Sequence, residues 1–130
     1  MILAACVDEA MGLQFAGRRQ SRDRIQMQTL QQMAGGRLRM SPASAKLAPD
    51  DGVYIGEDYL SGAADGDWCF AENLEYLDFS DSIQQIVLFQ WNRSYPGDLF
   101  FQFPGKWVLD HRTDLAGSSH EKITIEVYHR

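Results

Sequence analysis

The chain has 130 residues, of which 45% are apolar and 23% charged, the composition of one soluble globular domain large enough to bury its own core. Its formal net charge of −6 hides a division: residues 1–48 hold seven Lys/Arg against three Asp/Glu, while residues 49–130 hold five against fifteen, giving +4 and −10. An acidic chain with one basic corner argues against a nucleic-acid partner, and no apolar run is long enough to cross a membrane, so neither partner is expected. The N-terminal MILAACV lacks the basic flank and cleavage signal of an export leader, so a cytoplasmic location is expected. Oligomeric state is left open.

In chain order, residues 2–7 are six consecutive apolar residues bounded by the charged turn 8–12, which predicts a strand buried on both faces at the centre of a sheet. A polar, arginine-rich loop follows. Ser21 is a candidate cap for a helix running to about Ala34, which Gly35 and Gly36 terminate. Met27, Leu30 and Ala34 share one face of that helix, and counting back four from Met27 puts Asp23 on the same inward face. Residues 37–40 read as a second strand, and Pro42 opens a short helix to Leu47.

After a turn at 49–52, a third strand is expected at 53–56 and a short helical turn at 58–64, opened by acid as the helix dipole favours. Residues 68–71 read as a strand, 73–81 are ambiguous between helix and loop, and the run IVLF marks 83–92 as another interior strand. YPGD at 95–98 is a turn. Two strand patterns, 107–112 and the alternating 123–128, face each other across the loop 115–120 and predict an antiparallel hairpin at the sheet edge. The fold class expected is therefore α/β: a single three-layer domain spanning 1–130, with a mostly parallel sheet and a C-terminal antiparallel hairpin.

Cys6 and Cys69 sit in apolar runs without metal-ligand spacing and read as buried thiols. His111, His120 and His129 are isolated from one another, so no metal site is expected. His120 follows Ser118 and Ser119 and precedes Glu121, but neighbours on one turn do not converge into a triad, so a hairpin-loop role is expected for it.

The order of these elements, together with several short motifs, resembles the dihydrofolate reductase family along nearly the whole chain. MILAACVDEAMG is similar to that family's first strand and the start of its mobile loop, with Gly12 at the family's glycine. RDRIQMQTLQQM resembles the next helix and places Asp23 at or beside the substrate-binding carboxylate, and RLRMS resembles the second strand. The PGD of 96–98 with FFQFPGKW after it, and GSSHEKITIEVYHR at 117–130, resemble later loops and the terminal strand. Other positions depart from the pattern. Arg18-Arg19-Gln20 replaces the family's Pro-Trp, Ser41-Pro42-Ala43 replaces the phosphate-binding Gly-Arg-Thr, and Glu72-Asn73 stands where a glycine pair lets a pyrophosphate approach backbone amides.

The resemblance implies a ligand contact at Asp23, the candidate catalytic residue, with Met27 beside it. The basic loop adds Arg18, Arg19 and Arg22 as an anion clamp. A carboxylate at Glu72 opposes a pyrophosphate, so no cofactor is expected. Two readings stay open: a non-catalytic protein binding a small anionic or heterocyclic molecule, or serving interactions, on a reductase-like scaffold; and an NADPH-dependent reductase of a pterin-like or other small heterocycle.

Overall fold

Six apolar residues in a row need cover on both faces, and Ile2–Val7 (β1) obtains it from the middle of a seven-stranded sheet. The computed structural model describes all 130 residues, Met1–Arg130. Across the sheet the order is Tyr54–Ile55 (β5), Leu38–Met40 (β4), Trp68–Phe70 (β6), β1, Gln85–Gln90 (β7), Ile123–His129 (β10) and Val108–Leu115 (β9). The first five pair in parallel, whereas β10 runs antiparallel to β7 and β9 antiparallel to β10. This is the α/β class expected, with β1, β6 and β7 at the centre and the terminal hairpin at one side.

Alternation along the central strands divides the core in two. Leu3, Ala5 and Val7 of β1 lie with Ile86 and Leu88 of β7 on one face, over Tyr59, Leu60 and Tyr76. Ala4, Val87 and Phe89 face the other way, onto Met27, Leu30 and Ala34 of the helix Arg24–Ala34 (α1). A fully buried Leu30 or Leu88 contributes on the order of 2–3 kcal/mol by leaving water.

α1 is the α-helix of the fold, and the remaining cover differs from that expected. Residues 42–47 and 75–82 wind as tighter 3-10 helices, and 57–62 form successive turns without becoming a helix. The second of these contains a break at Phe79, whose backbone is not helical. The helix start also differs from the expected one. Asp23, rather than Ser21, holds the cap position: its backbone is extended and its carboxylate accepts from the N–H of Gln26. Gly35, in a left-handed conformation, closes the other end as expected.

The arginine-rich segment is ordered rather than a plain loop. Gly12–Phe15 (β2) and Arg18–Arg19 (β3) form a hairpin, and Leu99–Phe100 (β8) joins β2 to complete a small antiparallel sheet. Its two turn residues, Ala16 and Gly17, have φ of 51° and 75°, the left-handed pair that matches a twisted two-residue hairpin. Alanine is strained there. Ala16→Gly keeps the bond from the Ala16 N–H to Asp98 and is expected to raise stability by about 0.5–1 kcal/mol, read as an increase in Tm. A fall in Tm would show that the alanine methyl stabilises the hairpin.

Candidate functional site

The parallel strands β1, β4 and β6 all end at one edge; Asp8 and Ser41 directly follow the first two, and Glu72 lies two residues beyond the third. This is where an α/β sheet places a ligand, because the chain diverges and leaves a crevice. Asp8 serves as the knot of that edge. Only 1% exposed, its carboxylate accepts from the N–H groups of Ala10, Gly12 and Tyr95 and from the Gln20 amide, so it ties the turn after β1 to the basic hairpin and to the loop at 95–98.

Asp23 lies deeper, also 1% exposed. Five donors converge on it: the N–H groups of Gln26, Ser118 and Ser119, the Ser118 hydroxyl, and Nδ1 of His120 at 3.1 Å. Burial alone would raise its pKa, but the backbone N–H groups of Ser119, Ser118 and Gln26, joined by the His120 side chain, hold the carboxyl well below the usual carboxylate range. Gly117 makes this possible, since a Cβ there would stand 2.5 Å from Asp23 Oδ2. The inward orientation expected for Asp23 is what the structure has, and its donors are the 117–120 loop and a histidine rather than the arginines.

His120 is 4% exposed and lies flat against Trp91, ring centroids 4.4 Å apart and planes 17° from parallel. An ionised carboxylate can only accept, so Nδ1 carries a proton toward Asp23, and in the neutral imidazole Nε2 then presents a lone pair. Two hydroxyls meet that lone pair: Ser21 Oγ at 3.1 Å and Tyr95 Oη at 3.0 Å. His120 thus does more than shape a hairpin loop. Its sequence position gave no sign of this, because its partners lie 97 and 99 residues away.

The arginines separate in role. Arg19 makes a paired bond to Glu72, Nε to Oε2 at 2.7 Å and Nη2 to Oε1 at 2.9 Å, and Ser44 donates to the same carboxylate at 2.6 Å. Arg18 and Arg22 are exposed and have no acidic partner. Together they border an open cleft of about 590 Å³, with Ser21, Ser41, Ser44 and Asn73 on its walls. Met27 is absent from that cleft and belongs to the core, 3% exposed.

Adjoining the open cleft, with Arg19, Ser21, Arg22 and Glu72 in common, is a narrow space of about 10 Å³ bounded on its inner side by Cys6, Gln26, Met27, Phe70 and Trp91. That is room for about one water molecule. Two residues that line it, Gln26 and Gln20, each have a buried amide atom without a partner in the chain, Nε2 and Oε1 respectively.

No protein-family model matches the chain, and no curated protein matches it in sequence. Its shape does find a counterpart: the solved dihydrofolate reductase from Enterococcus faecalis, in complex with NADP(H) and RAB-propyl, superposes over all of this chain and 96% of that one, with a TM-score of 0.67 at 12% identity. The chain has a dihydrofolate reductase-like fold. Within that fold, Asp23 at the cap of α1 and Glu72 after β6 are both committed to partners inside the chain. Cys6 and Cys69 are free thiols; burial pushes the thiol of Cys69 up to about 11, and its Sγ donates to the Tyr59 carbonyl. No three His, Cys, Asp or Glu side chains gather into a metal-binding group, and no helix is long and apolar enough to cross a membrane.

Proposed function

We propose that this protein binds a small anionic molecule, phosphate- or carboxylate-bearing, in the open cleft beside β6, and does not reduce a heterocycle with NADPH. The observation that carries this reading is the pair of guanidiniums without an acidic partner, Arg18 and Arg22, on the rim of a 590 Å³ cleft whose other walls include the hydroxyls of Ser21, Ser41 and Ser44, the amides of Gln14 and Asn73, and the Arg19–Glu72 pair. Forked donors of this kind match the oxygens of a phosphate or carboxylate. Glu72 does not spoil the cleft, because Arg19 and Ser44 already satisfy it.

Against the reductase stands the space at the carboxyl end of β1. About 10 Å³ there cannot receive a planar heterocycle. Asp23, which borders a separate cleft of about 520 Å³, has its carboxylate committed to the 118–120 loop. A carboxylate paired with Arg19 stands where the resemblance implies a glycine pair for a pyrophosphate.

Calorimetric titration with phenyl phosphate tests the assignment. Saturable binding is expected, weakening at least tenfold in the double variant Arg18→Ala/Arg22→Ala and falling as salt rises past about 0.1 M, where the Debye length is near 10 Å. NADPH, followed by nicotinamide fluorescence, is expected not to saturate. Tight NADPH binding with no response to phenyl phosphate would restore the reductase reading.

A further inference from the structure

We propose that Ser21, His120 and Asp23 form a nucleophile, base and orienting acid, and that Ser21 attacks the carbonyl of an ester held in the open cleft. Three chemical demands define such a site, and each meets a feature of the structure. The base must sit within hydrogen-bond reach of the nucleophile: His120 Nε2 is 3.1 Å from Ser21 Oγ. The base must be fixed in the tautomer that accepts: Nδ1 donates to Asp23 Oδ2 at 3.1 Å, an oxygen already held by the Ser119 N–H at 2.7 Å. The base must also not swing away, and Trp91 stacks against its ring.

The nucleophile is reachable. Ser21 is partly exposed and lines both the cleft and the narrow space adjoining it, while His120 and Asp23 lie buried. Ser21 does not cap α1, since Asp23 does, so its hydroxyl is free of that structural task. A donor for the developing oxyanion stands on the same wall: the Arg22 guanidinium, which has no acidic partner.

Tyr95 complicates the resting state. Its hydroxyl lies 3.0 Å from His120 Nε2 and can instead donate to Ser21 Oγ at 3.4 Å, so its one proton has two acceptors and the closer is the base. When Tyr95 donates to Nε2, the base is occupied. Removing that competitor leaves Nε2 to Ser21 alone.

The reaction follows from the geometry. As Ser21 Oγ bonds to the carbonyl carbon, its proton passes to His120 Nε2. The tetrahedral adduct then expels the alcohol oxygen, which takes that proton and leaves. Water attacks the acyl-Ser21 ester with the same base accepting its proton, and collapse returns that proton to Ser21 Oγ and releases the acid. One ester and one water give one acid and one alcohol. That the natural ester is anionic rests on the binding reading above. The triad itself does not, so the test uses neutral probes.

The full chain is treated with a fluorophosphonate, and its intact mass and the labelled peptide are measured alongside turnover of p-nitrophenyl acetate. One adduct on Ser21 is expected. Ser21→Ala should remove the adduct and lower esterase turnover by about 1000-fold or more, to the background of the remaining site. Tyr95→Phe should label several-fold faster than the native chain, an effect that a purely structural hydrogen-bond cluster would not produce. His120→Gln should abolish labelling, and Ser21→Ala and Tyr95→Phe decide the matter if that variant does not fold. A folded native chain that takes no label, a label mapped away from Ser21, or a Tyr95→Phe variant labelled no faster would each overturn the proposal. Labelling that persists while phenyl phosphate fails to bind would retain the triad and discard the anionic substrate.

Discussion

Asp23→Asn is expected to cost the fold about 2–4 kcal/mol, although the side chains are nearly the same size. The amide can still accept from Gln26 and Ser118 through its oxygen. Its nitrogen, however, would stand where Oδ2 now accepts from the Ser119 N–H, setting donor against donor in a buried place. His120 would answer by moving its proton to Nε2, so that Nδ1 accepts from the new amide. Ser21 would then face a donor and lose its base. Urea denaturation followed by tryptophan fluorescence measures the loss, and a loss below about 1 kcal/mol would contradict the role given to Asp23.

Acid provides a second reading on the same variant. A carboxyl whose folded pKa lies below its unfolded value contributes stability that is fully present above the unfolded value, near 4, and disappears as pH falls through the folded one. The stability difference between the native chain and Asp23→Asn should therefore be constant from neutral pH down to about 5. It should shrink steadily below about pH 4, with a slope of at most about 1.4 kcal/mol per pH unit for the one proton involved. A difference unchanged down to pH 2 would mean that Asp23 is not held ionised by its partners.

The parts legible in the sequence are those where one local signal suffices. Continuous apolar runs put β1, β6 and β7 at the centre of the sheet, and alternation made the terminal strand plain. The inward face of Asp23 followed from helical spacing. Other features have no local signal. β2, β3 and β8 are four residues or fewer, shorter than the window over which a period of two becomes visible. Ser21 and Asp23 are both good caps by residue type, and what separates them is the 118–120 loop, which arrives from the far end of the chain. Arg19 and Glu72 each look like a free charge until the fold brings them together across 53 residues. A buried histidine is the hardest of all, since its environment is made by Ser21 and Asp23 from one distant segment and Trp91 and Tyr95 from another.

Trp91→Ala should be as damaging as the Asp23 substitution, by a different route. Trp91 follows β7, is 3% exposed, and packs in the core beneath α1 while its ring carries His120. Truncating so large a buried side chain removes its transfer free energy and leaves a cavity, a combined loss of about 3–5 kcal/mol. The new void would merge with the narrow space of about 10 Å³ at the carboxyl end of β1, which Trp91 helps to wall. Room for an aromatic molecule would appear where the native chain has space for no more than about one water. Added indole is therefore expected to restore part of the lost Tm in Trp91→Ala and to leave the native Tm unchanged, since a ligand that binds only the folded state stabilises it by mass action. Thermal unfolding with and without indole measures both. If Trp91→Ala loses less than about 2 kcal/mol, or if indole raises the native Tm equally, the packed indole ring is not what closes this end of the sheet.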